Sequence, residues 1–125
     1  GKRILLVEDN ELNREIAVEI IGSTGVSIDT AVNGLDAVNI VSRSPEGFYQ
    51  MILMDIQMPV MDGYEATRQI RSLKRSDISG MPIIAMTANA FSEDVTNALK
   101  AGMNYHLAKP IDISALMSVL GKYLQ

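Results

Sequence analysis

Short apolar runs alternate with longer amphipathic segments along the whole chain. Five runs have the length and composition of buried or half-buried strands, at 3–7, 26–32, 51–54, 82–86 and 104–108. The segments between and after them carry apolar residues at helical spacing, at 12–21, 35–43, 64–73, from about Glu93 onward, and from 113 after the capping residue Asp112. The predicted order is therefore βαβαβαβαβα, with five helices.

Some of the strand runs are apolar at every position, as in residues 51–54 (MILM). Strands of this kind are usually covered on both faces, which predicts a parallel sheet between two layers of helices. The chain has 125 residues, a length that suits one domain. We therefore expect a single α/β domain over residues 1–125.

The amino-acid composition argues against several classes of function. The chain has no cysteine, which excludes disulfides and thiolate metal sites and fits the cytoplasm. A net charge of −4 with scattered basic residues argues against a nucleic-acid surface. No apolar run approaches the roughly 18–20 residues that span a bilayer, and no signal peptide precedes the first strand. The one basic group, at Arg71, Lys74 and Arg75, is expected to be a solvated helix end.

Polar residues stand at the ends of four of the predicted strands. The first, third, fourth and fifth runs lead into Glu8-Asp9, Asp55, Thr87 and Lys109 respectively. In an open parallel sheet, ligands bind outside the carboxyl ends of the strands. Each of these residues alone has a plain structural explanation, such as a solvated turn or a helix cap. Their joint placement at one edge predicts a site.

The carboxylates of this edge suit a hard metal ion. Three carboxylates close together repel one another, and a bound cation relieves the repulsion. Oxygen ligands without His or Cys at these strand ends select Mg²⁺, with Mn²⁺ as a substitute, or Ca²⁺, over zinc. Glu8, Asp9 and Asp55 are the candidate ligands, and the backbone carbonyl of Gln57 can complete the shell.

Asp55 is also a candidate nucleophile, because a carboxylate can form an acyl phosphate. It stands alone at the end of the central strand. Lys109 would stabilise the charge of a transferring phosphoryl group, and Thr87 offers a hydroxyl donor to a phosphate oxygen. The residues at this edge therefore predict magnesium-assisted phosphoryl transfer.

Four segments in this order and spacing resemble the receiver domain of two-component signalling: VEDN (7–10), MDIQMPVMDG (54–63), MTA (86–88) and AGMNYHLAKP (101–110). The resemblance covers essentially the whole chain. It implies a flavodoxin-like, doubly wound five-stranded parallel sheet with strand order 2-1-3-4-5. It also implies phosphotransfer from a phosphohistidine to Asp55, with Glu8 and Asp9 on Mg²⁺, Thr87 sensing the phosphate and Lys109 pairing with the phosphoryl group.

Longer motifs narrow the resemblance. VEDNELNREIA, ILMDIQMPVMDGYEATRQIR and AMTANAF resemble receivers of hybrid sensor histidine kinases, whose parent chain can be anchored in the cell membrane. The expected partners are a histidine kinase or a histidine phosphotransfer domain, with no nucleic acid and no membrane contact by this domain. One departure is His106, which stands where the family usually has a switch Tyr or Phe.

Other functions stay open as alternatives. A stand-alone single-domain response regulator would carry the same residues. An aspartyl-nucleophile phosphatase of the haloacid dehalogenase type needs a second acid two residues after the nucleophile, where this chain has Gln57. A nucleotide or flavin binder would need a glycine-rich loop after the first strand, which is missing. A degenerate receiver that only binds partners would not need the full set of pocket residues.

Overall fold

The computed structural model describes residues 2–88, 92–109 and 111–124, without the side chain of Ser92. The elements of this part of the chain are β1 (Arg3–Val7), α1 (Glu11–Gly22), β2 (Ser27–Ala31), α2 (Gly34–Arg43), β3 (Met51–Asp55), α3 (Gly63–Arg71), α4 (Ser76–Ser79), β4 (Ile83–Thr87), α5 (Ser92–Ala101), β5 (Tyr105–Ala108) and α6 (Ile113–Tyr123). The predicted alternation of strands and helices is confirmed, with one short helix added.

The five strands form one parallel sheet in the order β2-β1-β3-β4-β5. This is the order of the flavodoxin-like fold, so that prediction is confirmed. β3 lies at the centre, and all of its residues are buried, as are all of those in β4. Burial on both faces is the reason these runs carry no polar residue until their last position.

Successive side chains of each strand point to opposite faces and enter two separate cores. One core contains Leu5 and Ile52 together with residues of α2, α3 and α5. The other contains Leu6 and Leu53 together with residues of α1 and α6. The sheet therefore lies between two helical layers, and its carboxyl edge stays open between the loops.

The helix that the sequence did not predict is α4, with Ser76–Ser79. It is a single turn, too short to produce a visible helical period. The expectation that the preceding basic group is a solvated helix end is wrong for two of its members. Arg71 donates to the carbonyl oxygens of Ile78 and Gly102, and Arg75 donates to the carbonyl oxygen of Val41 at 2.9 Å. A carbonyl oxygen can accept two hydrogen bonds, so the carbonyls near helix ends have capacity left for a long guanidinium side chain.

The apolar stripe predicted for α1 is only partly a core face. Ile21 is fully buried, but Leu12 is 64% and Ile16 48% exposed. Both side chains belong to the first turns of α1, which the described elements leave largely uncovered. The helix thus presents two apolar side chains, one turn apart on the same face, next to the carboxyl edge of the sheet.

Asparagine and aspartate side chains begin four of the helices. Each accepts a hydrogen bond from the backbone N–H three residues further on, at Asn10, Asn33, Asp62 and Asp112. These bonds satisfy donors that a helix start leaves open. In the part of the chain that the structure describes, no helix is long and apolar enough to cross a membrane.

Candidate phosphoryl-transfer and metal site

The carboxyl ends of four strands meet at one edge and deliver the predicted polar residues to it. Asp55 and Thr87 are the last residues of β3 and β4. Glu8 follows β1 directly, and Lys109 follows β5. The backbone N–H of Lys109 donates to the carbonyl oxygen of Thr87 at 2.7 Å, which ties the last two strand ends together. The parallel sheet therefore sets the separation of these side chains.

Three carboxylates form a compact cluster at this edge. One oxygen from each of Glu8, Asp9 and Asp55 can be chosen so that all three lie within 4.8 Å of one another. Glu8 and Asp55 are each only 2% exposed, whereas Asp9 is exposed to solvent. Two buried acids and one open acid around a small volume are an arrangement that a small divalent cation stabilises.

Lys109 brings a positive charge into this cluster. Its Nζ lies 2.9 Å from Asp55 Oδ2 and 3.2 Å from Glu8 Oε2. The same Nζ lies 3.5 Å from Glu8 Oε1. One ammonium thus faces two buried carboxylates and a third nearby, so the described part of the cluster keeps an excess of negative charge.

The environment shifts the ionisation of Asp55. Burial, and then the neighbouring Glu8 carboxylate, raise the pKa of Asp55 from 3.8 to about 7, although Lys109 acts in the opposite direction. Burial lowers the pKa of Lys109, but the two carboxylates raise it by more, so Lys109 stays an ammonium. The surroundings of Asp55 therefore compensate its negative charge only in part.

One oxygen of Asp55 is left with unused capacity. Oδ2 is buried and has the ion pair with Lys109, but among the described residues it makes no hydrogen bond of good geometry. A buried carboxylate oxygen usually accepts hydrogen bonds or binds a cation. The three carboxylates, including this oxygen of Asp55, suit a hard cation that prefers oxygen ligands. Mg²⁺ fits in particular, because it commonly binds one or two carboxylates and keeps several of its waters.

A pocket of ≈ 240 Å³ opens above the cluster. Its lining includes Glu8, Asp9, Asn10, Asn13, Asp55, Gln57, Ala88 and Lys109. Five of the six residues predicted for the site therefore line one pocket. Thr87 does not: its side chain is 1% exposed and lies at the end of β4, just before the lining residue Ala88. The role of the Gln57 carbonyl as a metal ligand stays a prediction.

Glycine at the start of α3 gives the pocket its shape. The N–H of Gly63 donates to the carbonyl oxygen of Ile56 at 2.8 Å, which closes the loop after β3. A Cβ on Gly63 would overlap the carbonyl oxygen of Asp55. A larger residue there would push α3 away from the end of β3 and move the Asp55 backbone. The glycine of the MDG motif (61–63) is therefore required for the close approach of α3 to the end of β3.

Two asparagines of the pocket were not among the predicted site residues. Asn10 caps α1 and accepts from the N–H of Asn13 at 2.9 Å. The side chain of Asn13 then donates from Nδ2 to Glu8 Oε1 at 3.1 Å. A capping residue before a predicted helix is a usable sequence signal for Asn10, but the contact of Asn13 with Glu8 depends on the turn between them.

A wider groove of ≈ 380 Å³ lies beside the pocket, between α1 and α6. Its walls are mostly apolar, and it shares Glu8, Asn13 and Lys109 with the acidic pocket. The exposed Ile16 lies on its rim. The acidic pocket is thus bordered on the α1 side by an apolar surface.

The chain resembles known proteins over nearly its whole length. Residues 4–121 match the family model "Response regulator receiver domain", and the chain belongs to that family. It is 41% identical over 133 aligned positions to hybrid signal transduction histidine kinase B of Dictyostelium discoideum, with 98% of this chain covered. The chain spans only about 7% of the length of that relative.

Two solved structures are similar in both sequence and fold. The receiver domain of sensor histidine kinase PA1611 from Pseudomonas aeruginosa PAO1 is 41% identical, with a TM-score of 0.87 and 99% and 98% of the two chains covered. That structure has a magnesium ion coordinated in the active site cleft. The receiver domain of Ssk1 from Saccharomyces cerevisiae, in complex with the histidine phosphotransfer protein Ypd1, is 34% identical, with a TM-score of 0.88 and coverage of 98% and 88%.

The predicted resemblance to receivers of two-component signalling, and to those of hybrid kinases in particular, is therefore confirmed. The chain is a receiver domain homologous to hybrid-kinase receivers.

Proposed function

We propose that this domain is a phosphorylation-dependent switch that accepts a phosphoryl group on Asp55 from a phosphohistidine donor. The observation that carries the proposal is the placement of a buried, poorly compensated carboxylate at the end of the central strand, 2.9 Å from Lys109 Nζ. A carboxylate held in this way has an oxygen that makes no hydrogen bond among the described residues and can attack phosphorus, and a cation beside it to stabilise the charge that moves.

The transfer forms one bond and breaks another. A carboxylate oxygen of Asp55 attacks the phosphorus, and the bond between phosphorus and the donor's imidazole nitrogen breaks. The electron pair of that bond returns to the imidazole, which is a good leaving group when its ring is protonated. Mg²⁺, held by Glu8, Asp9, Asp55 and the Gln57 carbonyl, would neutralise charge on the phosphoryl oxygens; Mn²⁺ would substitute.

Lys109 and Thr87 have separate roles in this proposal. Lys109 exchanges its contacts with the carboxylates for one with the phosphoryl group, which carries more charge. Thr87 is buried beside the pocket and offers its hydroxyl to a phosphoryl oxygen. A movement of Thr87 toward the phosphate would shift the end of β4 and α5. In this way phosphorylation of Asp55 would change the surface of the domain.

We further propose that residues 1–125 act as one receiver domain of a hybrid sensor histidine kinase that works in the cytoplasm within a phosphorelay. The similarity to a hybrid kinase and to a sensor-kinase receiver, each at 41% identity, supports this origin. A stand-alone response regulator is the alternative.

The donor must bring its histidine within bonding distance of Asp55, so its surface contacts the rim of the pocket. Leu12 and Ile16 are exposed apolar side chains in the first turns of α1, and Ile16 lines the groove beside that pocket. We propose that a histidine phosphotransfer domain or kinase packs against them, as exposed apolar patches commonly mark protein contacts. The complex of Ypd1 with a similar receiver supports this class of partner.

The test is intact-mass spectrometry after incubation with acetyl phosphate, with and without Mg²⁺. We expect a gain of one phosphoryl group that needs Mg²⁺ and is absent in Asp55→Asn. Asp36→Asn is the matched control, since Asp36 lies on α2 and does not line the pocket. A phosphoryl group on the Asp55→Asn protein would refute the assignment of Asp55.

A second arm uses a phosphorylated histidine phosphotransfer domain as the donor. Leu12→Glu should slow transfer from that protein and leave the reaction with acetyl phosphate unchanged. Equal rates with the protein donor would show that α1 is not part of the docking surface.

A further inference from the structure

The first turn of α1 holds Glu8 by both its side chain and its backbone. Asn13 donates from Nδ2 to Glu8 Oε1 at 3.1 Å, and Arg14 donates from Nη1 to the carbonyl oxygen of Glu8 at 2.9 Å. The turn itself is fixed by Asn10, whose side chain and carbonyl accept from the N–H groups of Asn13 and Arg14, each at 2.9 Å. The direction of the Glu8 side chain is therefore set from the helix.

Glu8 has two kinds of partner. Lys109 Nζ lies 3.2 Å from Oε2 and 3.5 Å from Oε1, and Oε1 also accepts from the Asn13 amide at 3.1 Å. Lys109 is also the cation closest to Asp55, at 2.9 Å. When a phosphoryl group competes for Lys109, Glu8 loses that contact, and the Asn13 amide is the donor that stays.

We propose that Asn13 is a positioning residue that keeps the Glu8 carboxylate aimed into the acidic pocket for Mg²⁺. The inference rests on the proposed function and assigns a role to a residue outside the metal ligands. A neutral amide suits this role, because it donates a hydrogen bond without cancelling the charge that attracts the cation. Hydrogen-bond partners of metal-ligating carboxylates orient those ligands and raise metal affinity.

A purely structural role for Asn13 predicts something different. Asn13 is an exposed residue within α1, and alanine is a better helix former than asparagine by a few tenths of a kcal/mol. If Asn13 served only the helix, Asn13→Ala would keep or raise the melting temperature and leave Mg²⁺ binding untouched. The positioning role instead predicts a folded protein that binds Mg²⁺ more weakly.

The experiment measures the Mg²⁺ dissociation constant by calorimetry on the unphosphorylated protein. We expect Asn13→Ala to weaken binding by about 3–10-fold, at the low end for such partners because the bond lies at the surface. Asn39→Ala is the matched control: Asn39 is an exposed asparagine on α2 with no side-chain hydrogen bond among the described residues, and its constant should equal that of the wild type.

Phosphorylation by acetyl phosphate gives a second readout. Asn13→Ala should react slowly when Mg²⁺ is limiting and at the wild-type rate when Mg²⁺ is saturating, since only metal binding is impaired. An unchanged dissociation constant, or a rate that stays low at saturating Mg²⁺, overturns the role of Asn13. A wild-type protein that binds no Mg²⁺ or takes no phosphoryl group refutes the proposed function itself, so the two failures are distinguishable.

Discussion

Away from the carboxyl edge, both carboxylate oxygens of Asp29, the middle residue of β2, have partners. Arg3 Nη1 lies 2.9 Å from Oδ1, and the Tyr49 hydroxyl donates to Oδ2 at 2.7 Å. At the carboxyl end, the described cation beside Asp55 is the ammonium of Lys109, which a second buried carboxylate shares, and Asp55 Oδ2 makes no hydrogen bond among the described residues. One end of the sheet thus pairs its charges, and the other leaves negative charge in excess.

Further charged side chains near the amino end of the sheet also have partners. Arg75 and Asp77 form an ion pair at 2.9 Å, and Asp77 also accepts from the N–H of Gly47. Arg71 donates to the Gly102 carbonyl and to Asn104 Oδ1 at 2.8 Å. Gly102 has a φ of +108°, and a Cβ there would lie 3.1 Å from Arg71 Cγ, so glycine is needed for this packing.

The paired charges and the uncompensated charges should therefore contribute to different properties, the first to stability and the second to function. Polar groups whose hydrogen bonds are complete hold strands and loops in one arrangement. Carboxylates that repel one another raise the energy of the metal-free protein, and a cation or a phosphoryl group with its cation removes that cost. Charge at the amino edge should therefore matter for folding, and charge at the carboxyl edge for metal binding and phosphorylation.

The largest expected effect is that of Lys109→Met on phosphorylation. The substitution keeps an apolar stem of similar length but removes the cation beside Asp55. The initial rate with acetyl phosphate, followed by intact mass, should fall by about 10²–10³-fold, as when one charge-stabilising donor is lost. Lys100→Met, at an exposed position on α5, is the control, and a rate equal to that of the control would contradict a catalytic role for Lys109.

The next effect concerns folding at the amino edge. Arg71→Ala removes the guanidinium hydrogen bonds to the Ile78 and Gly102 carbonyls and to Asn104 Oδ1, so the free energy of unfolding in urea should fall by about 2–3 kcal/mol. Arg68→Ala, on the same helix, removes only an exposed ion pair with Glu65 and should cost about 0–1 kcal/mol. Mg²⁺ binding should be unchanged in both. Equal stability of the two variants would mean that the Arg71 contacts do not stabilise the fold.

The third effect is a pH-dependent gain in stability at the carboxyl edge. Folding raises the pKa of Asp55 from 3.8 to about 7, mainly through burial. This carboxyl therefore favours the folded state below about pH 4, and its contribution is lost as the pH rises through about 7. Asp55→Asn does not titrate, so in EDTA it should exceed the wild type by roughly 2–4 kcal/mol at pH 8 and match it near pH 4.

Mg²⁺ provides the control for this third prediction. At pH 8 it should stabilise the wild type and reduce the advantage of Asp55→Asn, because the cation compensates the buried charge. Denaturation curves at several pH values, with EDTA and with Mg²⁺, measure both changes. A stability difference that is the same at every pH would contradict a raised pKa for Asp55.

The pattern of the sequence was sufficient for the fold and for most of the pocket. Apolar runs with a polar last residue mark parallel strands that are buried until their carboxyl ends, and parallel strands end at one edge. Asp55 and Lys109 could be placed together for this reason, although 54 residues separate them in the chain. The helix α4 was not predicted, because a single turn is too short to show the helical repeat of apolar residues.

Contacts between distant side chains were not visible in the pattern. Arg71 and Arg75 looked like a solvated basic group, but they bind carbonyls of α2, of α4 and of the turn before β5. Leu12 and Ile16 had core-like spacing, but the described elements do not cover them and they stay exposed. Whether a side chain is buried depends on which elements pack against it in the fold. The spacing of apolar residues along one helix does not contain that information.

Residue order alone thus determines the strands, the parallel sheet and the identity of the acidic residues, because periodicity and strand ends are local properties. The charge state of Asp55, the sharing of Lys109 between two carboxylates and the hold of Asn13 on Glu8 were decided only by tertiary structure. Each depends on distances of a few ångströms between groups that different strands and helices carry, and both desolvation and Coulomb interactions change steeply over that range.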